Sequence, residues 1–200
     1  MTTPAVVALH GFTRSPQNLQ RLADACSARG WACVRPALAP RMLPALYMDR
    51  RRLTGLAGRL APSLAGREVA VVGHSAGAAA GTFLAGALLD AGVDVRGLVM
   101  VDGVDSPNHL IARGIDRLEG LSVSAVLAPA SRCNRDGALG RFLAAYPWVR
   151  SETVAGAGHG DIEGAGIGIY RRACGDDSDA ATVDRVMAAV LAGIGRALDR

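Results

Sequence analysis

Six short runs of apolar, largely β-branched residues are separated by longer stretches of helical period, and this alternation limits the possible folds more than any other feature. The runs are Ala5 to Leu9, Trp31 to Arg35, Val69 to Val72, Gly97 to Val101, Ser124 to Ala128 and, more weakly, Val149 to Val154. The helical stretches are Pro16 to Arg29, Leu46 to Leu60, Ala76 to Ala91, Asn108 to Leu118, Asp136 to Ala145 and Ala181 to Leu198. Strand and helix in alternation predict parallel strands joined by helical crossovers, hence a sheet covered on both faces. Strands buried on both faces must be apolar without interruption, as Val69 to Val72 and Leu98 to Val101 are. The expected fold is α/β: a three-layer αβα sandwich around a mainly parallel sheet of about six strands.

The 200 residues suit one domain, residues 1–200, with no large cap. With 50% hydrophobic and 20% charged residues, a disordered chain is excluded. No apolar run approaches the roughly 18 residues of a membrane span. No basic n-region precedes an apolar h-region, since Val6 to Leu9 runs straight into His10-Gly11. A cytoplasmic protein is the expectation. The net charge is +4, yet every basic residue is Arg, and the one basic triplet, Arg50-Arg51-Arg52, has no interleaved aromatics. That argues against a nucleic-acid partner. Cys26, Cys33, Cys133 and Cys174 form neither CxxC nor zinc spacing. In a reducing compartment they are expected as free thiols, with a pair between the loop residues Cys133 and Cys174 left open.

Chemistry concentrates at Gly73-His74-Ser75-Ala76-Gly77. A G-x-S-x-G pattern arises by chance roughly 0.15 times in a chain this rich in Gly, so the bare match is weak. Its context is stronger: it follows the apolar run Val69 to Val72 and opens a helical stretch. A serine on a sharp strand-to-helix turn needs glycine on both sides, because the backbone passes where a Cβ would clash. Ser75 would then stand at the C-terminal edge of the sheet as a nucleophile. The competing reading is a plain helix N-cap.

A nucleophilic serine needs a base and an acid. Of the four histidines, His74 adjoins the serine and points elsewhere, His10 belongs to a strand-end turn, and His109 lies at a helix start. His159 lies in the glycine-rich Ala155 to Asp161 loop, which can reach over the sheet edge, and is the expected base. His159, Asp161 and Glu163 crowd together on one flexible loop and make a poor metal site; no metal or other cofactor is expected. Two loops offer an acid. Asp102 ends the run Gly97 to Val101, and Asp136 lies eight residues past Ala128. Asp102 is favoured because its position is fixed by its strand; Asp136 is the alternative, with Asp105 a further candidate. Acyl transfer also needs two N–H donors for the oxyanion. Ala76, after the serine, and Phe12, in the turn His10-Gly11-Phe12, are expected to supply them. Phe12, Met42, Leu43, Leu46 and Tyr47 flank that turn and are candidates to line the substrate pocket.

Together, His10-Gly11-Phe12 after the first strand, Gly73-His74-Ser75-Ala76-Gly77 at the elbow, an acid and then His159 resemble the α/β-hydrolase superfamily, in its chain order of Ser, Asp, His. Asp102 within Leu98 to Val104 resembles the placement in pancreatic lipases and chlorophyllases, where the acid comes one strand early. The strand pair that usually precedes His-Gly is absent, and Gly103 to Gly120 is short for a helical lid, as in small bacterial lipases and cutinases. The resemblance implies a lidless serine hydrolase that cleaves a carboxylic ester of a small molecule through an acyl-enzyme. An acyl thioesterase or cyclising acyltransferase would use the same groups, and a non-catalytic binding protein of the same fold is the reading from another class.

Overall fold

The computed structural model describes residues 2–38, 48–163, 174 and 178–199. Six strands form one sheet: β1 (Ala5–Leu9), β2 (Ala32–Val34), β3 (Glu68–His74), β4 (Asp94–Val101), β5 (Ser122–Leu127) and β6 (Arg150–Thr153), in the order β2-β1-β3-β4-β5-β6. Every neighbouring pair is parallel. The helices are α1 (Gln20–Ser27), α2 (Arg50–Leu64), α3 (Ala76–Asp90), α4 (Leu110–Gly114), α5 (Ala138–Leu143) and α6 (Ala180–Leu198). Among the described residues, none is long and apolar enough to cross a membrane.

Alternating strand residues feed two cores, one on each face of the sheet. Val7, Leu9, Val71, Leu98 and Met100 pack against α2 to α5 on one face. Val6, Ala8, Val72, Val99 and Val101 pack against α1 and α6 on the other. The expected three layers are therefore observed, and the sheet, expected to be mainly parallel with about six strands, has six strands and is parallel throughout. Between β4 and β5, Leu110 and Ile111 of α4 and the following Ile115 and Leu118 are buried in the first core, so that segment packs into the body of the fold.

Element ends differ from expectation for local reasons. Asp49, whose carboxylate accepts from Arg52 N, caps α2, which begins at Arg50 and runs on to Leu64 to bury that side chain. The expected α5 start at Asp136 fails because Arg135, Asp136 and Gly137 all have positive φ (53°, 56° and 73°), a left-handed turn outside the helix. His109, φ 53°, delays α4 in the same way. β6 is an exposed edge strand, which explains its weak apolar signal.

From β1 the chain moves outward to β2, then returns to place β3 on the other side of β1 and continues outward to β4. The crossovers thus diverge between β1 and β3, and in parallel sheets a crevice opens there, beyond the carboxyl ends of the strands.

Candidate active site

Ser75 follows β3 at that crevice. Its φ of 52° and ψ of −122° place a non-glycine residue in a region that costs about 1–3 kcal/mol. The surroundings enforce this conformation. Ser75 N donates to Val101 O at 3.0 Å, and Ser75 O accepts from Val104 N at 3.0 Å. A Cβ on Gly73 would sit 2.2 Å from Gly77 O, and one on Gly77 would sit 2.5 Å from Leu9 O. Both glycines are therefore required by backbone-to-backbone approach. The Ser75 side chain makes no capping bond to α3, contrary to a plain N-cap. Its Oγ lies 3.0 Å from His159 Nε2.

His159 Nδ1 lies 2.5 Å from Asp102 Oδ2. A carboxylate only accepts, so the Nδ1 proton belongs on the Asp102 side, leaving Nε2 free to accept from the Ser75 hydroxyl. Asp102 is 4% exposed. Its Oδ1 accepts from Ala128 N at 3.0 Å and Asn134 Nδ2 at 3.2 Å. Its own N donates to Val126 O at 2.7 Å.

The structure thus brings Ser75, His159 and Asp102 together and leaves the other two acids out. Asp136 is exposed on its left-handed turn. Asp105 is spent on α4, where Oδ1 accepts from Ile111 N at 2.9 Å. The loop carrying Asp136 still contributes, because Asn134 from that loop holds the Asp102 carboxylate. Asn134 is itself fixed: its Oδ1 accepts from Ser131 N and Gly137 N, and Nδ2 also donates to Pro129 O.

Gly11, Phe12, Arg14, His74, Ser75, His159 and Gly160 line a cleft of about 170 Å³ with Cys133 and Cys174. Phe12 is half-buried there, and Ala76 begins α3 directly beside the serine. Met42, Leu43, Leu46 and Tyr47 lie outside the described residues.

The cleft edge corrects one expectation. Cys133 and Cys174 are joined in a disulfide, Cα–Cα 5.3 Å, so the free-thiol expectation fails for these two. They are 41 residues apart and meet only because both segments converge beside the serine, which spacing does not reveal. Cys26 and Cys33 are free thiols. They are close enough to interact, and the hydrogen bond to Cys33 together with burial pushes the Cys26 thiol far up.

Beneath the cleft lies a buried ionic cluster that was not anticipated. Glu163 Oε1 accepts from Gly11 N at 2.6 Å and lies 3.1 Å from His74 Nδ1, an ion-pair contact off the line of a hydrogen bond. Glu163 Oε2 lies 3.4 Å from Arg14 Nε. His74 Nε2 donates to His159 O at 2.6 Å. Burial alone would lower the His74 pKa, but the facing Glu163 charge outweighs it and the net shift is upward. Burial likewise opposes the Glu163 carboxylate, and His74, Gly11 N–H and Arg14 together pull it below the usual range. The sequence reads Glu163 only as part of a poor metal set with His159 and Asp161; its place four residues after His159 is the one signal that puts it near the site. Among the described residues, no three His, Cys, Asp or Glu side chains converge as metal ligands.

No family model and no curated protein matches the chain in sequence. Solved structures match in fold. Dienelactone hydrolase from Anabaena variabilis is 16% identical with a TM-score of 0.66, covering 96% of this chain and 85% of that one. A carboxylesterase structure from Nitrososphaera gargenis is 11% identical with a TM-score of 0.61, covering 80% and 85%. The thioesterase domain from the curacin biosynthetic pathway is 14% identical with a TM-score of 0.61, covering 92% and 91%. The chain has the α/β-hydrolase fold.

Proposed function

We propose that the protein is a serine hydrolase that cleaves carboxylic esters of small molecules through an acyl-enzyme. One observation carries this reading: the line from Ser75 Oγ through His159 to Asp102, at 3.0 and 2.5 Å, with the serine held on a strained turn. A serine placed only to cap a helix would need neither partner.

Ser75 Oγ attacks the ester carbonyl while His159 Nε2 takes its proton. The imidazolium that forms keeps its Nδ1 proton on Asp102, whose negative charge stabilises it. Negative charge gathers on the carbonyl oxygen, where the N–H groups of Phe12 and Ala76 stabilise it. His159 returns the proton to the leaving alcohol as the C–O bond breaks, giving an acyl-Ser75 ester. Water, deprotonated by His159, then attacks that ester; the acid leaves and Ser75 regains its proton. Asp102 is the acid of this scheme. The carboxylesterase and dienelactone hydrolase among the fold neighbours support hydrolysis as the reaction class.

The thioesterase neighbour supports a second reading, in which the same steps expel a thiol instead of an alcohol. A panel of p-nitrophenyl esters and acyl thioesters of graded chain length separates the two. Ser75→Ala should remove turnover on whichever is hydrolysed, by about 10⁵-fold or more, and abolish labelling by a fluorophosphonate. Retained activity in that folded variant would sink the assignment.

A further inference from the structure

We propose that Glu163 is a positioning residue for the acyl transfer, acting through Gly11 and His74 to hold the oxyanion turn and the base loop against the serine. The proposal rests on the hydrolase reading above. Three segments distant in sequence supply the reacting groups: the turn 10–14 carries Phe12, the elbow carries Ser75, and the loop 156–163 carries His159. Glu163 is where they meet. Its Oε1 accepts from Gly11 N at 2.6 Å, the N–H just before that of Phe12. It faces His74 Nδ1 at 3.1 Å, on the residue just before Ser75. His74 Nε2 in turn donates to the backbone oxygen of His159 at 2.6 Å. One carboxylate thereby contacts the neighbour of each of two reacting groups and, through His74, the third residue itself.

The protonation pattern follows from the partners. Both His74 ring nitrogens face oxygens that only accept, a carbonyl and a carboxylate. A neutral imidazole carries one N–H and would turn a lone pair toward one of them. His74 is therefore the imidazolium of a buried ion pair, with Arg14 a second cation beside the same carboxylate. The Glu163 side chain is fully buried and that of His74 is 4% exposed. Burying such charges is costly and gives little net stability compared with apolar packing. Their position under the reacting groups accounts for the cluster better than stability does. Space is also tight: a Cβ on Gly11 would lie 3.0 Å from His74 Nδ1. The imidazole therefore packs close against the Gly11 backbone and leaves no room for a side chain there.

Three substitutions separate reach from charge. Glu163→Asp keeps the charge but withdraws the carboxylate by one methylene from Gly11 N–H. Glu163→Ala removes both. Glu163→Gln keeps the shape without the charge: its amide oxygen, in the place of Oε1, accepts from Gly11 N–H and faces His74, while its amide nitrogen takes the place of Oε2 beside Arg14. Each is assayed with the best ester or thioester of the panel, with circular dichroism at the assay temperature as the control for folding. The expected result is a kcat lowered about 100-fold in the Asp and Ala variants, as for a misplacement near 1 Å. KM stays within about threefold and Gln returns kcat to within about threefold of wild type, within the slack of uniform binding. Wild-type kcat in a folded Ala or Asp variant overturns the proposal. So does a Gln variant as slow as Ala, which would make the effect one of charge. If Ala does not fold, the Asp and Gln pair decides alone. If the wild-type protein turns over no member of the panel and Ser75 takes no fluorophosphonate, the hydrolase reading fails first and Glu163 positions nothing.

Discussion

Ser75 and Asp102 stand at the ends of central strands, whereas His159 stands on a loop that leaves the edge strand β6. The first two are held by extensions of the sheet ladder: Ser75 N–H donates to Val101 O and Asp102 N–H to Val126 O. Both have positive φ, 52° and 40°, and both are pinned from neighbouring strands. His159 has no such ladder. Its loop is tied by side chains: Gly158 N–H donates to Asp161 Oδ2 at 2.8 Å and Ser178 Oγ at 2.9 Å, and His159 O accepts from His74. A strand end is placed by the ladder bonds of its neighbours and by packed side chains, so no single residue outside the site sets its position. A loop is placed by a few buried polar groups, and each of them matters.

The largest effect that sharpens this contrast concerns the two acids. Asp102→Asn removes the carboxylate that fixes the His159 tautomer, and kcat should fall about 10⁴-fold. Asp136→Asn should leave kcat within about threefold, since an exposed surface substitution away from the site has little effect. Steady-state rates of the two variants check the pair; a large loss in the second with none in the first would reverse the assignment of the acid.

The same contrast explains what the sequence disclosed. β1 is seen at its observed bounds, and β3 and β4 at their cores, because strands covered on both faces must be unbroken apolar runs. Ser75 is legible because Gly73 and Gly77 are demanded by backbone contacts that no other residue permits. Asp102 is legible because it directly follows its strand. Asn134 is not: its residue type suits any turn, and only the fold brings the loop after β5 against Asp102. Glu163 and His74 form a pair across 89 positions, and no local period records such a contact. The Cys133–Cys174 bond is left open by the sequence for the same reason, and the expected pocket residues Met42, Leu43, Leu46 and Tyr47 fall outside the described residues.

A smaller effect probes the covalent tie between the two loop regions. The disulfide spans 41 residues and joins the Asn134 loop to the segment holding Cys174. Closing a loop of that size restricts the unfolded chain, and its loss should cost roughly 2–4 kcal/mol. Thermal unfolding of a Cys133→Ser, Cys174→Ser double variant should show a correspondingly lower Tm than the wild-type protein. Reductant should lower the wild-type Tm toward that of the variant and leave the variant unchanged. An equal response of both proteins to reductant would mean that the Cys133–Cys174 bond is not the source of the effect.

The smallest effect reads the charge state of the buried pair through stability. The His74 pKa is higher in the folded protein than its ordinary 6.5, so the folded state holds that proton more tightly. Its contribution is complete below pH 6.5 and fades as pH rises through the raised value. The Glu163 pKa is lower than its ordinary 4.5. Its contribution is complete above pH 4.5 and fades as pH falls through the lowered value. Both contributions are whole between pH 4.5 and 6.5. Glu163→Gln removes both, because the carboxylate is gone and His74 then folds as the neutral imidazole. The Tm difference between wild type and Glu163→Gln should therefore be most favourable to wild type in that window and shrink on either side. A difference that stays flat from pH 4 to 9 would mean that the pair does not ionise as its geometry requires. The His159 loop would then be held by hydrogen bonding and shape alone.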